Sequence, residues 1–304
     1  MGGRVSGLRL GVDLGGTKTE IVALEGPREV LRRRVDSPRG DYAATVATIA
    51  GLVEAAEAEL GKPGTVGVGI PGAVSPATGL VKNANSTWLI GRPLDRDLGE
   101  RLRREVRVAN DANCFALSEA ADGAGAGEGV VFGVIAGTGT GAGITVDGRV
   151  LTGANAIAGE WGHNPLPWPT AEEAPGPECY CGRRGCIETF LSGPGLAADH
   201  RRATGAERSP EDIAAAAGEG DPGCRASLDR YVHRMARALA HVINILDPDV
   251  IVLGGGMGNI ADLYRRVPER WGPFVFSDRV VTRLVPPVHG DSGGVRGAAW
   301  LWPQ

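Results

Sequence analysis

Apolar residues run almost unbroken through 8–14 (LRLGVDL) and return over 19–24 (TEIVAL), with Gly15, Gly16, Thr17 and Lys18 between them. Runs of this length around a glycine turn predict two strands joined directly, not a strand feeding a helix. Residues 43–60 change to a helical period that stops at Gly61, as a helix with a glycine terminus would. A strand at 65–70, a loop from Pro71, a helix near 94–104, a short strand at 106–109 and a helix over 112–121 follow. The opening pattern then restarts, with an apolar run at 130–136, a glycine turn from Gly137 to Gly141 and a second run at 143–147. The two strand–turn–strand units lie roughly 120 residues apart, which marks an internal duplication. A long helix over 225–246, a strand at 249–253 ending in three glycines, and a short apolar helix at 294–302 complete an α/β pattern.

A chain of 304 residues can bury a full core and is expected to form two lobes. Its net charge of −4 argues against a nucleic-acid or membrane-surface partner. The basic run at 101–107 suits the solvated face of a helix. No apolar run reaches the length of a membrane span, and residues 1–7 do not read as a signal peptide, so the cytoplasm is the expected compartment.

Glycine turns at strand ends let backbone N–H groups approach phosphate oxygens without a Cβ in the way. Two such turns, one in each duplicated half, would grip a polyphosphate such as ATP. The candidate nucleotide-binding residues are Gly11, Asp13, Gly15, Gly16, Thr17 and Lys18 in the first half. In the second they are Gly137, Thr138, Gly139 and Gly141, with Gly255 and Gly256 as a third cluster. Asp13 is placed to hold a magnesium ion. The order of residues is not that of a Walker A loop. Gly67, Gly69 and Gly72 match the spacing of a dinucleotide fingerprint, but Pro71 sits inside it and Pro76 and Gly79 follow, so no helix opens there. An ordinary hairpin turn is the plain alternative for each loop taken singly.

Asn110 and Asp111 fall at a strand end, where open α/β sheets place catalytic groups. A carboxylate there can orient an attacking hydroxyl and take its proton, which makes Asp111 the candidate general base, with Asn110 beside it on the substrate. A helix cap over 112–121 is the competing explanation. Asn83, Asn85, Ser86 and Trp88 add a polar set suited to a hydroxyl-rich ligand, although such clusters are often turns.

Residues 159–188 hold one histidine and three cysteines, His163, Cys179, Cys181 and Cys186, out of five cysteines in the chain. An odd, clustered set argues against a disulfide framework. One imidazole and three thiolates suit a closed tetrahedral zinc site, structural because the protein fills every position. Gly182 and Gly185 supply the tight turns. Glu160 and Glu188 flank the set and are surplus to it, as a wall facing a polar ligand would be. The linker at 169–178 shows nothing in its composition beyond connection.

Together these segments resemble the ROK family of bacterial sugar kinases, through VDLGGTKTE at 12–20, GIPG at 69–72, NDANC at 110–114, GTGTGAG at 137–143, GEWGHNPL at 159–166, CYCGRRGCIE at 179–188 and DPDVIVLGGG at 247–256. The resemblance implies an actin-like (ribonuclease H-like), duplicated two-lobed α/β fold with an interdomain cleft. It places residues 1–118 with 290–304 in a smaller lobe carrying the first phosphate loop and Asp111. Residues 119–289 then form a larger lobe with the second loop, the zinc knuckle and the adenosine site. More narrowly, VKNANSTWL at 81–89, GEWGHNPLPW at 159–168 and HGDSGGVRGAAWLWP at 289–303 look like the fructokinase branch of the family. That implies ATP- and magnesium-dependent phosphorylation of fructose, and of mannose in second place, at the 6-hydroxyl. Asn85, Asn110, Glu160, His163 and Glu188 would contact the sugar, His163 binding zinc through its other nitrogen. A homodimer is usual in the family. The alternatives are a kinase for glucose, mannose or N-acetylglucosamine, and a sugar-responsive repressor. A repressor carries a helix-turn-helix domain ahead of the first strand, where this sequence is expected to leave no room.

Overall fold

The structure, a computed structural model, describes residues 7–302. The expectation about a signal peptide at residues 1–7 therefore falls outside the described residues, Gly7 apart. In chain order the elements begin with β1 (Leu8–Leu14), β2 (Lys18–Glu25), β3 (Arg28–Asp36), α1 (Tyr42–Leu60), β4 (Gly64–Ile70), β5 (Ala73–Val74) and β6 (Val81–Lys82). Next come α2 (Leu94–Leu102), β7 (Val106–Asn110), α3 (Asp111–Asp122), β8 (Val130–Ala136), β9 (Thr140–Val146) and β10 (Arg149–Val150). Helices α4 (Glu188–Leu191), α5 (Gly193–Thr204), α6 (Pro210–Glu219) and α7 (Pro222–Leu246) lead to β11 (Val250–Gly254). Helices α8 (Leu263–Arg266) and α9 (Pro268–Trp271), β12 (Arg283–Val285) and α10 (Gly293–Trp300) close the chain.

Two five-stranded sheets repeat one order, β3-β2-β1-β4-β7 in the first and β10-β9-β8-β11-β12 in the second. In both, the central strand pairs in parallel with the strand after the first long helical connection, β1 with β4 and β8 with β11. The outer parallel partners correspond as well, β4 with β7 and β11 with β12. This is the duplicated, actin-like α/β fold. The chain divides into two compact units, one of residues 1–127, 143–158 and 291–304 and one of 128–142 and 159–290.

In the first unit the buried faces of β1 and β4 (Leu10, Val12, Val66, Val68) share a core with Ile49 and Val53 of α1. That helix starts where the Asp41 carboxylate accepts from Ala44 N–H and stops at Gly61, whose φ of 68° is in the left-handed region. Helix α10 lies hard on the same strands. A Cβ on Gly11 would sit 2.2 Å from the Val295 carbonyl oxygen, and one on Gly67 only 1.9 Å from that of Ala298. Both glycines are therefore packing residues inside strands. For Gly67 this agrees with rejecting a dinucleotide loop. For Gly11, expected with the nucleotide-binding residues, the close approach that glycine permits is to α10.

β3 and β9 depart most from expectation, and the short β5, β6, β10 and β12 have no counterpart in it. β3 has no apolar run to announce it. It pairs with β2 as an exposed strand whose Arg32 and Arg34 bind the buried Glu20 carboxylate at 2.6 and 2.8 Å. β9 begins at Thr140, earlier than the expected 143, so the second glycine turn is only three residues, 137–139. Among the described residues no helix is long and apolar enough to cross a membrane.

Candidate functional site

The first unit gathers its chemistry at the carboxyl ends of three parallel strands. Asp13 on β1 is level with Gly69 on β4, and the next β4 residue, Ile70, is level with Asn110 on β7. A Cβ on Gly69 would lie 3.4 Å from the Asp13 Oδ1 and 3.3 Å from the Cys114 Sγ, and one on Gly294 3.7 Å from the Asp13 carboxyl. The carboxylate is thus closely walled. Burial first, then the Asp111 and Glu20 carboxylates, push Asp13 up to about 7, with Arg34 opposing. Complete burial, then the charges of Asp13 and Asp111, hold the Cys114 thiol well above its usual range, so it stays a neutral neighbour.

Asn110 ends β7 and caps α3, its Oδ1 accepting from Ala112 N–H at 2.9 Å and Asn113 N–H at 3.3 Å. The helix cap weighed against a catalytic role is therefore present, and it belongs to Asn110. Capping uses only the amide oxygen, which leaves the NH₂ group to donate elsewhere. Asp111 is the first residue of the helix and its Oδ1 accepts from Ala112 N–H at 2.8 Å, at an end of the helix that favours negative charge.

The first glycine turn is closed by Gly15 N–H donating to the Lys18 carbonyl at 3.0 Å, with Gly16, Thr17 and Lys18 exposed. Lys18 forms an ion pair with Asp36. Asn85 is exposed on a loop braced by Trp88, whose indole N–H donates to Thr45 on α1 at 3.1 Å.

In the second unit, two of the three glycine clusters meet. Gly254 on β11 is level with Ile135 on β8, and a Cβ on Gly137 would lie 3.8 Å from Gly256 N. Gly137 N–H donates to the Gly139 carbonyl at 2.9 Å, while Thr138 projects exposed from the turn. Gly141 lies inside β9, past the turn. Glu188 reaches this turn. Its Oε2 accepts from Thr140 N–H at 2.9 Å and would be 2.8 Å from a Cβ on Gly139. One carboxylate expected on the sugar thus also orders the second glycine turn. Beyond Gly256 the chain runs into the wall of a cavity of about 560 Å³ lined by Ala214, Leu228, Ile260, Arg225 and Arg265 among others.

The segment before the cysteines is fixed by packing. Trp161 is buried edge-on against Phe132 of β8 at 5.7 Å, and a Cβ on Gly162 would be 1.9 Å from the Thr140 carbonyl. Residues 164–166 then pair with 185–187, through Ile187 N–H to Asn164 at 2.9 Å and Leu166 N–H to Gly185 at 2.9 Å. This pairing brings His163 to Cys186. The knuckle itself turns at Gly182 and Gly185, with φ of 86° and 69°, and closes by Cys179 N–H donating to Arg183 at 2.8 Å.

The ligand atoms of His163, Cys179, Cys181 and Cys186 all lie within 4.8 Å of one another. His163 Nδ1 is 3.6 Å from Cys179 Sγ, and Cys181 Sγ is 3.6 Å from Cys186 Sγ. Tetrahedral zinc with bonds of about 2.3 Å to sulfur spaces its ligands by roughly 3.5–3.8 Å, so the donor set fits in both type and spacing. Burial and then the neighbouring thiols push Cys186 up to about 12, a state a bound cation would relieve. Glu160 is exposed at the head of the turn that carries His163.

Two residues escaped the sequence. Tyr180, between the first two cysteines, places its hydroxyl 3.0 Å from His163 Nε2. Glu173, in the linker read as mere connection, is buried on α7 and holds Arg234 at 2.8 Å and Arg237 at 2.7 Å. For Tyr180 the only available signal was an aromatic residue inside a chelating loop.

The sequence profile of the ROK family matches residues 9–304. The N-acetyl-D-glucosamine kinase of Vibrio cholerae serotype O1 is 42% identical over 296 residues, 96% of this chain and 98% of that protein. Among solved structures, a ROK hexokinase from Thermus thermophilus superposes with a TM-score of 0.85 at 30% identity, covering 97% of each chain. A ROK family glucokinase from Streptomyces griseus, in complex with glucose and AMPPNP, gives 0.77 at 26% identity over 97% of this chain and 99% of its own. The chain belongs to the ROK family of sugar kinases.

Proposed function

We propose that this protein transfers the γ-phosphoryl group of ATP to the 6-hydroxyl of a hexose, with Asp111 as the general base. The observation that carries the reading is the carboxylate pair of Asp13 and Asp111 at aligned strand ends, with Asp13 pushed up to about 7 by burial and by its neighbour. Two crowded carboxylates repel each other unless a cation or a proton intervenes, and phosphoryl transfer supplies the cation. Asp13 would hold magnesium, which neutralises charge on the phosphates. Asp111 takes the proton of the attacking hydroxyl, and the Asn110 NH₂ group orients the sugar beside it, with Asn85 as a further contact.

Gly15, Gly16, Thr17 and Lys18 in the first unit, and Gly137, Thr138 and Gly139 in the second, offer backbone and side-chain donors to the phosphates. Lys18 must leave Asp36 to do so. That exchange costs little, because both partners are exposed to water. Gly255 and Gly256 lead to the 560 Å³ cavity, whose size suits an adenosine. Glu160, His163 and Glu188 recognise sugar hydroxyls. Zinc, held by His163, Cys179, Cys181 and Cys186, would be structural and keep those three groups in register.

For the sugar, the relatives named N-acetyl-D-glucosamine kinase, 38–42% identical over 96% of this chain, favour that amino sugar. Fructose, the expectation from local segments at 81–89, 159–168 and 289–303, is the second reading. The enzyme would act in the cytoplasm, where ATP is available, as a homodimer.

A coupled ADP-release assay with magnesium across N-acetylglucosamine, fructose, mannose and glucose tests the reading. One hexose should turn over far better than the rest, with phosphate on its 6-oxygen, and its 6-deoxy analogue should give no product. Turnover of the 6-deoxy sugar would refute the assigned position.

A further inference from the structure

Tyr180 is 76% exposed, yet its hydroxyl turns inward to lie 3.0 Å from His163 Nε2, with the two rings edge to face at 5.1 Å. Nδ1 of the same imidazole faces Cys179 Sγ at 3.6 Å. With Nδ1 given to a metal, the ring proton resides on Nε2, which then donates to the tyrosine oxygen. An oxygen that accepts from His163 and carries its own hydrogen has the same donor and acceptor roles as a sugar hydroxyl at that place.

We propose that Tyr180 is a specificity-determining residue that acts as an internal stand-in for the sugar, its hydroxyl occupying the position on His163 that a hexose hydroxyl takes on binding. The proposal rests on the sugar-kinase reading above and goes beyond it. A hexose must displace the phenol, so only a ligand with a hydroxyl correctly placed to replace that hydrogen bond gains full affinity. Sugars lacking it leave the tyrosine in position and bind less well. The exposed ring can swing outward without disturbing the core, because Tyr180 has no part in the Trp161 and Phe132 packing that fixes the loop.

The test is Tyr180→Phe in the full-length, zinc-loaded protein, which removes the hydroxyl and keeps the ring. Direct calorimetric titration of the preferred hexose, without ATP, should show Kd about three- to tenfold lower, and KM for the sugar should fall in parallel. KM for ATP and the zinc content should not change. Ranked by affinity, the hexoses should lie closer together in the variant than in the wild type. Unchanged sugar affinity would overturn the proposal, and so would weaker binding, which would make the hydroxyl a direct sugar contact. If the wild-type protein turned over no hexose, the kinase reading would fail and this proposal with it. If the wild type is active and only the variant's affinity fails to improve, this proposal alone falls.

Discussion

Replacing Asp13 by Asn should make the nucleotide-free protein more stable at neutral pH while abolishing its turnover. The folded carboxyl sits at about 7 against an ordinary value of 3.8. The sign follows from proton binding. Between those values the folded state keeps a proton that the unfolded state releases, so folding loses stability as pH rises through that window. Below about pH 4 both states are protonated and the cost vanishes; above about 7 it is complete. A difference of about 3 units at 1.36 kcal/mol each gives an upper bound of about 4 kcal/mol. A buried amide recovers only part of this, so a gain of about 2 kcal/mol is expected. The assay is urea denaturation of both proteins in magnesium-free buffer at about pH 4.5, 6 and 7.5, with the gap between them opening as pH rises. A pH-independent gap, or a variant less stable than wild type at the highest pH, would refute the idea that Asp13 is held near neutrality by burial and by Asp111. Turnover should fall by at least about 10³-fold in the variant, because the carboxylate proposed to hold magnesium is lost while Asp111 remains.

Two other perturbations separate the structural from the chemical parts. Cys181→Ser should lower bound zinc from about one ion per chain and raise KM for the sugar more than for ATP; equal effects on both substrates, or a folded and active wild type without zinc, would detach the knuckle from sugar recognition. Glu173→Ala leaves Arg237, 1% exposed, without its carboxylate, while Arg234, 6% exposed, keeps Asp199 at 2.8 Å. The loss should be about 3–5 kcal/mol in urea denaturation, and a loss below about 1 kcal/mol would show that the linker is not anchored there. Against burial, the Thr170 N–H and the Arg234 and Arg237 guanidiniums hold Glu173 down at about 2, so their contribution should be intact above about pH 4.5 and fade as pH falls from there.

The duplicated sheets were legible because their central strands are buried on both faces. Residues 8–14 and 130–136 therefore read as continuous apolar runs, and the glycine turns stand out between them. β3 was not legible, since an exposed strand that carries Arg32, Arg33 and Arg34 pairs through its backbone and through Glu20, not through an apolar face. Helices α5 and α6 escaped for a related reason. Each is short and is defined by a serine cap, Ser192 or Ser209, with proline in its first turn.

At the site, residue types and spacing were enough to bring His163, Cys179, Cys181 and Cys186 together. They could not separate a glycine that admits phosphate from one that admits a helix, as at Gly11. Nor could they foresee that Asn110 would spend its oxygen on a helix cap, or that Glu188 would hold the Thr140 N–H. The partners of Glu173 lie more than sixty residues away on α7, a distance across which composition carries no signal.

Asp111→Ala, measured against wild type in the ADP-release assay, is the sharpest check on the proposed transfer of a hexose hydroxyl proton to Asp111. A fall in kcat of at least about 10³-fold is expected, with Kd for both sugar and ATP within about threefold of wild type. Appreciable turnover in the variant, or a loss that lies entirely in substrate binding, would contradict it.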